Sequence, residues 1–66
     1  MSMGDQIKAI RQIRGLTQKE LGERMGVDAS TVRKYESGRL NPKIETVQEI
    51  ADTLEMPLAH FSHRWV

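Results

Sequence analysis

Apolar residues recur at helical spacing through most of the chain, and no segment alternates apolar and polar positions as a strand would. Ile7, Ile10 and Ile13 fall on one side of a first helix predicted at about residues 5–14. Gly15 follows, as is typical of the left-handed residue that ends a helix. The pattern predicts an all-α fold.

The second helix is predicted to begin at the sequence TQKE, which has the form of a capping box. In such a box the Thr17 hydroxyl accepts a hydrogen bond from the backbone N–H of Glu20, and the Glu20 carboxylate bonds back to the cap. Leu21 and Met25 then face inward, and Gly26 ends the helix.

The third helix repeats this arrangement. Asp28 is a suitable N-cap, Val32 and Tyr35 turn toward the core, and Gly38 ends the helix. A fourth helix is predicted at about residues 44–54, where apolar residues again share one face.

A short fifth helix is predicted to begin near Pro57, because proline suits the first position of a helix. Leu58 and Phe61 would form its inner face, and the helix and tail together take up residues 57–66. A chain of this length makes one domain, predicted here as compact, five-helical and covering residues 1–66.

The second and third helices are separated only by residues 26–28. So short a connection suits the sharp crossing of a helix-turn-helix, here at about residues 17–37. Gly22 lies inside the second helix, where glycine costs up to about 1 kcal/mol relative to alanine. Close approach of the third helix is the simplest reason for a glycine at this position.

Charge is distributed unevenly along the chain. Residues 1–43 hold nine Lys or Arg and five Asp or Glu, a net charge of +4, whereas residues 44–66 hold one and four, a net charge of −3. A basic first part suggests an anionic partner, although ordinary surface charge would look the same.

Several classes of function lack their residues. The chain has no cysteine, and the pair His60 and His63 has no further ligands nearby, so neither a metal nor another cofactor is expected. No nucleophile triad, glycine-rich phosphate loop or room for a small-molecule substrate is evident, which disfavours an enzyme. Without a signal peptide or an apolar run of roughly 20 residues, a cytoplasmic protein without a membrane partner is expected.

The sequences LTQKEL, TVRKYESG and ETVQEIADTL resemble the helix-turn-helix domain of phage Cro and repressor proteins, the XRE-type regulators. The resemblance covers about residues 7–61. It implies a five-helix, lambda-repressor-like domain that binds double-stranded DNA, commonly as a homodimer on a palindromic operator, with the third helix in the major groove.

The resemblance also implies a set of residues at the DNA. Ala29, Ser30 and Lys34 fall on the base-reading positions of the family, and a thymine methyl, several base edges and guanine O6 and N7 are their natural partners. Arg33 is left with two roles, base reading or a phosphate contact. The full expected set is Gln18, Lys19, Ala29, Ser30, Thr31, Arg33, Lys34, Arg39, Asn41 and Lys43.

Gln18 matches the phosphate-contacting glutamine of the family, and Arg39, Asn41 and Lys43 lie in a loop that the family lays along the DNA backbone. Lys43 stands where a helix N-cap belongs, although lysine is a poor cap. Its presence fits a phosphate contact, and it equally fits simple tolerance of a poor cap at this position. Outside the motif, Ala29 and Ser30 would be plain turn residues, and Arg33 and Lys34 a solvated face.

Two further expectations follow from the resemblance. Arg11 and Glu36 match a salt bridge that ties the first helix to the third. Near the C-terminus, the apolar residues complete the core or form a two-fold interface, and the dimer is expected through Leu58, Phe61, Trp65 and Val66.

The leading hypothesis is a sequence-specific DNA-binding transcriptional regulator that represses by occupying an operator. The alternative is an antitoxin-like or coactivator-type module that uses the same fold mainly to bind a protein. In that case Lys34 would be dispensable, and function would depend on Phe61 or Trp65 instead.

Overall fold

A computed structural model describes residues 2–61 of the chain. Four α-helices follow one another, joined by short loops, and a single turn of 3-10 helix comes last; the described residues contain no strand. The α-helices are α1 (Met3–Ile13), α2 (Gln18–Met25), α3 (Ala29–Ser37) and α4 (Ile44–Leu54), and the 3-10 turn is Leu58–His60. The all-α prediction is confirmed.

The first helix begins two residues earlier than predicted, because a second capping box precedes it. The Ser2 hydroxyl accepts from the Asp5 backbone N–H at 3.1 Å, and the Asp5 carboxylate accepts from the Ser2 N–H at 3.4 Å. Gly4 then lies buried against the end of α3, where a Cβ atom would collide with the backbone carbonyl oxygen of Glu36.

The core lies between the four helices and includes the residue that follows the 3-10 turn. The fully buried side chains at its centre come from every α-helix and from the chain after α4: Ile7, Leu21, Val32, Val47, Ile50, Leu54 and Phe61. Tyr35 packs against this cluster while remaining half-buried. Burial of such side chains is the main contribution that offsets the lost chain entropy.

Ile13 does not share the buried side of α1 with Ile7 and Ile10, as the apolar spacing predicts, since Ile13 is 75% exposed. At 100° per residue, Ile7, Ile10 and Arg11 share the inward stripe of α1, whereas Ile13 is rotated about 120° from Ile7. Arg11 occupies an inward position of α1 at which the apolar spacing alone would predict a hydrophobic residue.

The capping box and the glycine end of α2 have the predicted form. The N–H of Glu20 donates to the Thr17 hydroxyl at 3.0 Å, and the Glu20 carboxylate accepts from the Thr17 N–H at 2.8 Å. Gly26 closes α2 in the left-handed region with φ of 77°. Asp28 occupies the N-cap position of α3, although its side chain makes no capping hydrogen bond.

Gly22 is pressed against the turn itself. A Cβ atom built on Gly22 would lie 2.6 Å from the backbone oxygen of Val27 and 3.2 Å from the carbonyl carbon of Asp28. The close approach that the sequence predicts therefore comes from the two residues before α3, and it fixes the distance at which α3 crosses α2.

The predicted fifth helix is reduced to the three-residue 3-10 turn. Pro57 has an extended backbone and occupies the cap position rather than the first helical position. The turn is held by backbone bonds from His60 to Pro57 at 2.9 Å and from Phe61 to Leu58 at 3.1 Å. The segment has no side-chain cap and is held by these two backbone hydrogen bonds, and it ends after one turn. The next residue, Phe61, is buried in the core.

We predict that Gly22→Ala destabilises the domain. An ordinary helical Gly→Ala change gains up to about 1 kcal/mol, but here the new methyl group meets a backbone oxygen that cannot rotate away. Overpacking of this kind costs about 1–3 kcal/mol. Urea unfolding measures the change, with Glu23→Ala, an exposed position in the same helix, as the control. A Gly22→Ala variant as stable as the parent would contradict the packing described here.

We also predict an acid-dependent contribution from the α2 capping box. The pKa of Glu20 lies below its ordinary value of 4.5. The largest cause is the hydrogen bond from the Thr17 backbone, and the second is a hydrogen bond with the Thr17 side chain. A lowered folded-state pKa stabilises the fold above the unfolded pKa and loses that effect as the pH falls through the folded value.

Glu20→Gln should therefore lower the free energy of unfolding at pH 7, and this deficit should be smaller at pH 3. Urea titrations at both pH values check it, with Glu23→Gln as the control. A deficit for Glu20→Gln that is equal at the two pH values would sink the prediction.

Candidate nucleic-acid interface

The outward side of α3 is polar and cationic. Arg33 and Lys34 are exposed, Ala29 and Ser30 are half-buried at the start of the helix, and Val32 is buried on the opposite side. Within residues 2–61 neither cation forms an ion pair or a side-chain hydrogen bond. The helix therefore presents its positive charge to solvent uncompensated.

These residues share a concave surface with the chain that follows the helix. We name this surface the α3 depression, and its lining residues are Ser30, Arg33, Lys34, Ser37 and Arg39. Among the described residues no carboxylate contributes to it. Its chemistry is that of a hydrogen-bond donor surface, which suits an anionic or acceptor-rich ligand.

Behind α3, a buried ion pair joins three parts of the chain. Arg11 donates through Nε to Glu36 Oε2 at 2.6 Å and through its Nη2 to Oε1 at 3.1 Å, so the contact is bidentate. Arg11 Nη1 donates to the backbone oxygen of Leu16 at 2.8 Å. The Arg11 and Glu36 side chains are 8% and 4% exposed. The salt bridge that the resemblance implies is therefore buried, unlike a surface ion pair.

Gln18 belongs to the same network. It is the first residue of α2, and its side-chain nitrogen donates to Glu36 Oε1 at 3.1 Å. Glu36 thus accepts from α1 and α2 while belonging to α3. The position of Gln18 at the start of α2 is consistent with a phosphate partner, because helix N-termini favour anions.

A second concave surface lies between α1, α2 and α3, and it includes a cation that sequence analysis leaves without a role. Its lining residues are Asp5, Lys8, Gln18, Arg33, Glu36 and Ser37. Lys8 stands three residues before Arg11, hence on a neighbouring part of the same helix surface. That spacing is the signal by which it could have been found.

The other expected residues lie around these surfaces. Lys19 is exposed and Thr31 half-buried. Lys43 is exposed in the N-cap position of α4 and makes no side-chain capping bond. Asn41 is exposed and lines a different depression at the start of α1, whereas Arg39 lines the α3 depression.

The residues expected at a dimer interface are divided. Phe61 is fully buried within the single chain, so it is a core residue and has no side-chain surface to offer a second copy. Leu58 is half-buried and packs against the core. Trp65 and Val66 lie outside the described residues.

Residues 2–61 contain neither a metal-binding cluster nor a membrane-spanning helix. Among these residues no group of three or more His, Cys, Asp or Glu side chains is placed to hold a metal ion. No helix in the same range is long and apolar enough to cross a membrane.

Comparison with known proteins gives consistent matches. The family model described as Helix-turn-helix matches residues 7–61, most of the chain. RstR, the cryptic phage CTXphi transcriptional repressor of Vibrio cholerae serotype O1, is 33% identical over 63 residues, which are 96% of this chain and 53% of RstR. The chain thus spans about half the length of that repressor.

Solved structures agree in fold. Bacillus thuringiensis PlcR, crystallised with the peptide PapR7 and DNA, superimposes with a TM-score of 0.81 at 43% identity, covering 91% of this chain and 21% of PlcR. The P22 c2 repressor, crystallised with a synthetic operator, gives a TM-score of 0.83 at 23% identity and covers 91% of both chains, a likeness of fold.

We predict that Arg11→Met and Glu36→Leu are each strongly destabilising, and that the double variant is much less so. Each single change leaves a buried charge without its partner, at a cost of about 3–5 kcal/mol, whereas removing both charges is often nearly neutral. Urea unfolding of the four proteins gives the coupling energy. Additive losses in the double variant would mean that the two side chains act independently.

Proposed function

Because the chain belongs to the XRE-type helix-turn-helix family, we propose that it is a sequence-specific, double-stranded DNA-binding transcriptional regulator. In this proposal it represses by occupying an operator and reads the major groove with α3. The observation that carries the proposal is the α3 depression, which is lined by three cations and two hydroxyl groups and by no carboxylate among the described residues.

The arrangement of helices supports this role. Recognition helices of this class place N-terminal residues against base edges while the preceding helix crosses the DNA backbone. Here Ala29 and Ser30 begin α3, and Gln18 begins α2 beside it. Gln18, Lys19 and Lys43 are assigned to phosphates, which position the protein, and Ser30 and Lys34 to bases, which specify the sequence.

Relatives support the regulatory part of the proposal. RstR is a transcriptional repressor, and the PlcR and P22 c2 structures contain DNA. RstR extends well beyond the matched segment. We therefore base the proposed activity only on the domain that the two proteins share. The role needs no catalysis, cofactor or small-molecule substrate, and it places the protein with its DNA in the cytoplasm of a prokaryotic cell.

We further propose a homodimer on a palindromic operator. One recognition helix contacts only a few base pairs, and two copies on half-sites one DNA turn apart double the contact. Leu58, Trp65 and Val66 remain assigned to this interface, without Phe61. The alternative of a protein-binding module is weakened, because Phe61, one of its two key side chains, is enclosed in the core.

The experiment that tests the proposal is selection from a random duplex library, followed by titration of the selected duplex and a scrambled one. We expect a palindromic sequence bound about a thousandfold tighter than the scrambled duplex. Binding that is weak, salt-sensitive and indifferent to sequence would reject specific DNA recognition.

We predict that Lys34→Ala and Lys43→Ala have different effects on this binding. Lys34→Ala should remove about 1–3 kcal/mol of discrimination at one base position. Lys43→Ala should weaken binding to all duplexes alike and reduce the slope of log affinity against log salt by about one. Titrations against every single-base variant at two salt concentrations separate the two. Equal profiles for both variants would show that Lys34 does not read a base.

A further inference from the structure

The polar side chains of the loop after α3 line two different depressions. Arg39 lines the α3 depression together with the exposed face of the helix. Asn41, only two residues later, lines a different depression beside Ser2, Met3 and Tyr35 at the start of α1. Arg39 and Asn41 therefore have different surroundings, and only Arg39 shares a surface with the exposed cations of α3.

The backbone explains why Arg39 returns to the helix. Gly38 ends α3 in the left-handed region with φ of 82°. The N–H groups of Arg39 and Leu40 then both donate to the carbonyl oxygen of Lys34, at 3.0 and 3.2 Å. These bonds fold the chain back over the last turn of α3, so the Cα of Arg39 is fixed relative to Lys34 rather than carried on an open loop.

The chemistry of the α3 depression restricts what it can bind. Arg33, Lys34 and Arg39 can only donate hydrogen bonds, and only the two serine hydroxyls can also accept. None of the three cations has an ion-pair partner within residues 2–61. In the major groove guanine offers two acceptors, N7 and O6, and thymine offers one, O4. Cytosine offers a donor, and adenine is matched by an amide side chain. No carboxylate or amide lines this surface among the described residues.

We propose that Arg39 is a second base-reading residue, which binds the O6 and N7 edge of a guanine at a position other than the one read by Lys34. The inference rests on the proposed function and sharpens it, because it predicts a required G·C pair in each half-site. An arginine suits this contact, since its planar fork can donate to both acceptors at once. A backbone phosphate has the same acceptor chemistry and is the competing partner.

The test uses the full chain with the duplex obtained by selection and all its single-base variants. Arg39→Ala should abolish the preference for one G·C pair, lowering discrimination there by about tenfold or more while leaving the relative affinities at other positions unchanged. Arg39→Lys keeps the charge but not the fork, so it should retain the salt dependence and still lose most of that preference. Lys43→Ala is the matched control for a phosphate contact.

Other outcomes would overturn the inference. If Arg39→Ala weakens every duplex by the same factor and Arg39→Lys restores the affinity, Arg39 binds phosphate. The proposed function would then still stand, provided that Lys34→Ala loses discrimination at its own position. If the unmodified protein binds all duplexes equally, the inference and the proposed function fail together.

Discussion

Arg11 and Glu36 meet inside the domain at the point where three helices come together. The bidentate contact, the bond from Arg11 to the Leu16 carbonyl oxygen and the bond from Gln18 to Glu36 connect α1, the loop after it, α2 and α3. A buried ion pair contributes little net stability compared with apolar side chains of the same size, because both charges lose their hydration. We interpret its value as geometric, since it holds α3 in register with the start of α2, where the proposed base readers and phosphate contacts would have to fit one duplex.

The other charged residues in the described part of the chain are all exposed. Within residues 2–61 the contact between Arg11 and Glu36 is the only ion pair, so the remaining cations of α3 and its loop stay available to a ligand. Glu45, Glu49 and Asp52 recur along the exposed face of α4. A cationic α3 surface and an acidic α4 face should orient the protein as it approaches DNA, through an attraction that salt screens.

Much of this arrangement can be predicted from local sequence. The TQKE box, the glycines that end α2 and α3, and the three-residue turn each specify backbone geometry within a few residues. Whatever depends on distant packing is harder to predict. Ile13 continues an apolar spacing, yet Arg11 takes the inward position because Glu36 lies opposite. Phe61 could equally serve a core or an interface until the path of the chain after α4 is known.

The same limit applies to the candidate site. Ser30, Arg33 and Lys34 follow from helical spacing and the family resemblance, because they share one helix face. The separation of Arg39 from Asn41 depends on how the Gly38 turn folds the chain over α3, and Lys8 becomes relevant only when α1 lies beside α2 and α3. Local sequence specifies neither relation.

The most direct test of the central claim is an amide NMR titration with the selected duplex and a scrambled one. If α3 and its surroundings form the DNA-binding surface, the largest shift changes should fall at residues 17–19, 29–34 and 39–43, differ between the two duplexes, and spare the acidic face of α4. Changes centred on α4, or identical changes with both duplexes, would contradict the account.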